Sequence, residues 1–129
     1  MRSAIIPLLL RHPEFADAAR VAASRLEGQA QYTLQLFYTA ARLLQEKYVE
    51  RLTRLFGAQR RLPDLYSKAL EIELCDEIQE SLARVGECHA ELTGLKMNYA
   101  GGYEHAARTW LDYLEWRAAL PRQRLWQTT

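Results

Sequence analysis

The stretch ERLTRLFGAQRRLPDLYSKALEIEL, Glu50–Leu74, decides how the chain is read, through its Leu62-Pro63-Asp64 break. Pro63 has no N–H to donate, and its ring clashes with a preceding helical turn, so a helix running into it ends near Arg61 or Leu62. Asp64 is a good N-cap for a new helix. So short a link predicts two helices lying antiparallel on either side of it.

Outward from the break, apolar residues recur by threes and fours. Before it they are Leu34, Phe37, Ala41, Leu44, Tyr48, Leu52 and Leu55; after it, Leu65, Ala69, Ile72, Cys75, Ile78, Leu82, Val85, His89, Leu92, Leu95 and Tyr99. This is helix periodicity, one stripe per arm. Charge follows the same plan. Lys47, Arg51, Arg54 and Arg61 form a basic stripe, and Glu73, Glu77, Glu80, Glu87 and Glu91 an acidic one. Folding about the break brings Arg54 level with Ile72–Glu73, Arg51 with Cys75–Glu77, and Lys47 with Gln79–Glu80. Opposite charges flanking a seam set orientation and register, as in a coiled coil.

The expected domain is single, spanning 1–129: a helical arm over about 13–61, a turn at 62–64, a second arm over about 65–120 and a basic tail at 121–129. His12-Pro13-Glu14 opens the first arm, with proline at a first helical position and a carboxylate in the first turn. Gly28 is a possible corner. Gly86 and Gly94 are tolerable in a helix, and the pair Gly101-Gly102 is the predicted break. The apolar run Ala4–Leu10, interrupted by Pro7, is too short to span a membrane or to read as a secretory signal. It is expected to pack on the fold or on a partner.

Tyr38, Leu43, Phe56, Tyr66, Leu70, Leu74 and Trp116 exceed what one stripe per helix can bury. The predicted fold is therefore all-α: a long antiparallel helical hairpin, dimerising into a four-helix bundle or folding back as one. The homodimer is the preferred expectation.

A chain of 129 residues with 17 Lys and Arg against 16 Asp and Glu can build one core, and it lacks the basic excess of a general polyanion binder. Cys75 and Cys88 fall on one predicted helix, ~20 Å apart, too far for a disulfide. Free thiols point to a reducing cytoplasm. Glu87, Cys88 and His89 are contiguous, so their side chains fan over three helix faces and cannot close on one metal. Glycine stands three residues before both His89 and His105, so the Glu-x-x-His pattern of di-iron bundles is absent. No metal, no cofactor and no catalytic residue is expected, and His89 reads as a satisfied core histidine.

Arg84-x4-His89 resembles the Arg-x(4–6)-His motif of the HEPN family of all-helical ribonucleases. The resemblance implies that Arg84 and His89 act on an RNA phosphodiester. Val85 departs from the pattern, which usually has a polar residue there. Positions five apart on a regular helix diverge by about 140°, so the pair needs a kink near Gly86.

Tyr99, Tyr103, Trp110, Tyr113, Trp116 and Trp126 gather toward the open end of the hairpin, among Arg108, Arg117, Arg122 and Arg124. Trp110, level with Phe15, and Tyr113 are expected to be buried. Trp116, Arg117, Arg122, Arg124 and Trp126 are the expected partner-binding residues, because exposed aromatics beside arginines make strong contact sites. The expected function is a non-enzymatic helical scaffold or adaptor that binds itself and an unidentified protein. The alternative is a subunit of a nucleoprotein complex contacting RNA or single-stranded DNA through Arg108, Arg117, Arg122 and Arg124. Granule- or membrane-surface binding, similar in general character to phasins, and the HEPN-type ribonuclease come after these.

Overall fold

A computed structural model describes residues 4–120, and every regular element among them is helical. The helices are α1 (Ile5–Arg11), α2 (Ala16–Arg25, entered through a 3-10 turn at Pro13–Phe15), α3 (Gly28–Lys47), α4 (Val49–Phe56), α5 (Ile78–Thr93) and α6 (Tyr99–Ala118).

The core is built around α3. Leu36, Phe37, Tyr38, Ala40, Ala41, Leu43 and Leu44 are all buried, so this helix is covered on nearly every side. An all-round apolar helix must sit inside other elements. α3 does so, packing against α1, α2, α5 and α6. Lys47 near its end reaches Gln79 at the start of α5, and Phe37 meets His89 further along, so α3 and α5 run in opposite directions. The apolar N-terminal run becomes α1, which buries Ile6, Leu9 and Leu10 against the rest of the fold. Pro7 is in its first turn, where the missing N–H has no helical partner to lose.

The break around Pro63 is much longer than the expected tight turn. α4 stops at Gly57, which adopts φ 78°, and helix resumes only at Ile78. Side chains of α3 hold the intervening chain. Buried Gln45 donates through Nε2 to the Arg60 carbonyl and accepts from the Leu62 N–H, both at 2.8 Å. Two helical turns earlier, the Tyr38 hydroxyl donates to the Pro63 carbonyl at 2.8 Å. The connection thus runs back along α3 and buries Leu62, Tyr66 and Leu70.

Asp64 does cap a turn, accepting from the Ser67 N–H at 3.1 Å and from the Ser67 hydroxyl. That turn lasts one cycle. The Ile72 N–H bonds to the Ser67 carbonyl and the Glu71 N–H to the Lys68 carbonyl, with Glu71 at φ 57°. This is a Schellman closure, with glutamate where glycine would sit without strain. A side chain in that conformation costs about 1–2 kcal/mol.

The second break also falls elsewhere than expected. α5 ends at Gly94, at φ 72°, and Asn98 caps α6 by accepting from the Gly101 N–H at 3.0 Å. A Cβ on Gly101 would stand 2.6 Å from the Asn98 amide nitrogen. The Gly101-Gly102 pair therefore lies inside the first turn of α6, where glycine makes room for the cap. Similarly, a Cβ on Gly86 would lie 2.8 Å from the Ala100 backbone nitrogen, which makes Gly86 a point of close approach between α5 and α6.

Candidate functional site

The carboxylates of α6 turn inward, toward cations of α3 and α4. Glu104 accepts from Lys47, from the Tyr48 hydroxyl at 2.9 Å and from Gln79 at 3.2 Å. Burial alone would raise its pKa, but these three bonds together outweigh burial and hold it below the usual carboxylate range. Tyr48 is pushed up to about 12, first by burial and then by its bond to Glu104.

One turn of α4 further on, Arg51 binds Glu115 with two nitrogens, at 3.0 and 2.5 Å, and Asp112 at 2.7 Å. A planar guanidinium matched to a carboxylate in this way is among the stronger charge-assisted arrangements. The bond from Arg51 lowers the Glu115 pKa, and the two carboxylates raise that of Arg51.

Lys47 stands level with Gln79, as the charge register predicts. Arg51 does not face Cys75–Glu77; its partners lie on α6. The reason is the irregular segment 57–77, which carries Glu73 and Glu77 off any continuous helical stripe. Arg61 instead pairs with Glu46, and Arg84 bonds to the Glu73 carbonyl and to Glu80.

With its acids drawn to one side, α6 presents aromatic surface on the other. Trp116 is 60% exposed and Tyr113 is 52% exposed, with ring centroids 6.1 Å apart. Arg117 is exposed beside them and forms no ion pair among the described residues. Tyr113 is therefore not the buried residue expected. Trp110 is partly buried but stacks on Phe56 at 5.8 Å, and the Arg11 guanidinium covers the Phe56 ring at 4.4 Å. Phe15, the expected neighbour of Trp110, stacks on His12 instead. Arg122, Arg124 and Trp126 lie outside the described residues.

His89 is 4% exposed. Its Nδ1 shares a 2.5 Å hydrogen bond with the Tyr103 hydroxyl, and its ring stacks on Tyr99 at 3.9 Å. α5 runs without interruption through Gly86, so Arg84 and His89 stay on different faces. Arg84 is occupied at the surface while His89 is enclosed in the core. The two are not brought together around a phosphodiester. Cys75 and Cys88 are free thiols, and the described residues contain no group of three or more His, Cys, Asp or Glu placed to hold a metal ion. No helix among them is long and apolar enough to cross a membrane.

Two concavities had no counterpart in the sequence reading. One, of about 550 Å3, lies between α4 and the segment around Ala58–Arg61. The other, of about 420 Å3, lies between α3, the Glu71 turn and α5. Their linings come from three separate parts of the chain, which no local pattern joins. Comparison with protein-family models, with curated proteins and with solved structures finds no match to this chain.

Proposed function

We propose that this chain is a non-enzymatic helical scaffold, homodimeric, that captures another protein through the outer face at the end of α6. The observation that carries the reading is the exposed pair Tyr113 and Trp116 beside Arg117, on a helix whose other aromatics, Tyr99, Tyr103 and Trp110, are buried or partly buried. Aromatic rings give large contact area at little entropy cost, and arginine adds planar hydrogen bonding.

The folded-back bundle is the favoured form of each subunit. Tyr38, Leu43, Tyr66 and Leu70 are buried within one chain, so a dimer forms through surfaces rather than by completing a core.

A photo-crosslinker at position 116 in cells tests this. It should trap a discrete protein partner, and Tyr113→Ala with Trp116→Ala should abolish trapping from a neighbouring position while leaving helicity unchanged. Trapping that survives the double substitution overturns the reading. The alternative of a nucleic-acid surface draws on Arg108 and Arg117, the two arginines of α6, which form no ion pair among the described residues. Salt-sensitive binding of single-stranded RNA that requires both arginines would favour it.

A further inference from the structure

Whereas the acids of α6 are neutralised within the chain, two carboxylates on another face are not. Glu71, on its left-handed turn, and Glu91 on α5 border the cavity of about 420 Å3. Neither forms an ion pair or a hydrogen bond among the described residues. The same cavity is lined by Leu36 and Leu70, both buried, by partly buried Leu92, and by the half-exposed ring of Tyr32.

An apolar floor under an uncompensated negative rim selects one kind of occupant. It must bring a cation on an apolar stem, with bulky apolar neighbours. Arginine meets the first need, since its methylenes lie on leucine while its head meets carboxylates or the face of a tyrosine. A drug-sized anion is repelled, and a purely apolar group leaves both charges unanswered.

This chain carries such a segment itself: Arg122-Gln123-Arg124-Leu125-Trp126. It cannot reach the cavity of its own subunit. Tyr103 touches His89, next to the cavity residue Cys88, and from there α6 climbs away to Ala118. Those fifteen residues of helix carry the chain about 22 Å from the cavity level. Arg124 lies only four residues beyond Leu120, a reach of at most ~14 Å. The occupant must come from another molecule.

We infer that the cavity bordered by Glu71 and Glu91 receives the Arg122–Trp126 segment of a second copy of this chain, and the exchange is reciprocal. Two-fold symmetry fills both cavities at once and leaves neither basic segment over. The inference rests on the reading of the chain as a homodimer and supplies its contacts, leaving Tyr113 and Trp116 for the outside partner.

The test is the dimer dissociation constant of the full chain, measured by sedimentation at low and high salt. Glu71→Gln with Glu91→Gln should weaken the dimer at least tenfold, as should Arg122→Glu with Arg124→Glu. Both glutamates are exposed, so folding is retained, and circular dichroism checks it. Combining Glu71→Arg and Glu91→Arg with the two arginine reversals should restore most of the affinity. Added peptide PRQRLWQTT should compete and yield monomers. A dimer indifferent to the glutamine pair, or a combined reversal no tighter than the arginine reversal alone, overturns this inference and leaves the homodimer standing. A wild-type chain that is monomeric at every concentration overturns both.

Discussion

The two ends of α6 carry similar residues and meet opposite fates. At its start, Tyr99 and Tyr103 are drawn in around His89, with Phe37 packed edge-on against both His89 and Tyr103. At its end, Tyr113 and Trp116 stand in solvent. The difference lies in what faces the helix. The start is enclosed by α3 and α5 together, brought close by Gly86. The end has α4 on one side, and α4 stops at Gly57. A ring is buried when two elements flank it, and its own chemistry does not decide that. The charges mark the same boundary, because Arg51 ties Asp112 and Glu115 to α4 and so commits one side of the helix while freeing the other.

The largest expected effect breaks the enclosed end. Tyr103→Ala removes a fully buried aromatic and the hydroxyl bonded to His89, and should cost about 3–5 kcal/mol in chemical denaturation. A loss under about 1 kcal/mol would mean that the start of α6 is not packed as described. Next comes the close approach that creates the enclosure. Gly86→Ala pushes a Cβ against the Ala100 backbone rather than a flexible side chain, and should cost about 1–3 kcal/mol. Neutral or improved melting would place the two helices further apart.

A change of opposite sign sharpens the account of the Pro63 connection. Glu71→Gly relieves a left-handed glutamate and should stabilise the fold by about 1 kcal/mol, read as a higher melting temperature. Destabilisation would show that the turn does not hold that conformation.

The charge clasp makes a pH prediction. Glu104 and Glu115 are both held below their ordinary 4.5. Each is protonated more readily unfolded than folded, so its contribution is fully present above that ordinary value and is lost as pH falls through the lowered folded value. Melting temperature followed between about pH 6 and pH 3 should fall for the wild type, and Glu104→Gln should flatten part of the slope. Parallel curves would remove Glu104 from the clasp.

The smallest effect belongs to the exposed end. Trp116→Ala should change stability by no more than about 0.5 kcal/mol, in contrast to Tyr103→Ala. A loss comparable to that of Tyr103 would make Trp116 a core residue and remove the candidate surface.

Periodicity alone was enough to settle that the chain is helical, where α3 and α5 turn their apolar sides, and that His89 lies inside. These follow from spacing, which the local backbone imposes whatever the neighbours are. Pro63 and Asp64 were correctly read as a stop and a cap. Their consequence was not legible, because nothing in Leu65–Leu74 forbids a helix. Its path is set by Gln45 and Tyr38, side chains about two turns apart on α3 that take up backbone groups far along the chain. Arg51 likewise found its carboxylates on α6 rather than along the expected stripe, since a charge takes the partner that packing brings near. The cavity beside Glu71 and Glu91 and the exposure of Tyr113 are of the same kind. Each depends on which elements meet, and how far they extend, which tertiary packing decided and local sequence does not encode.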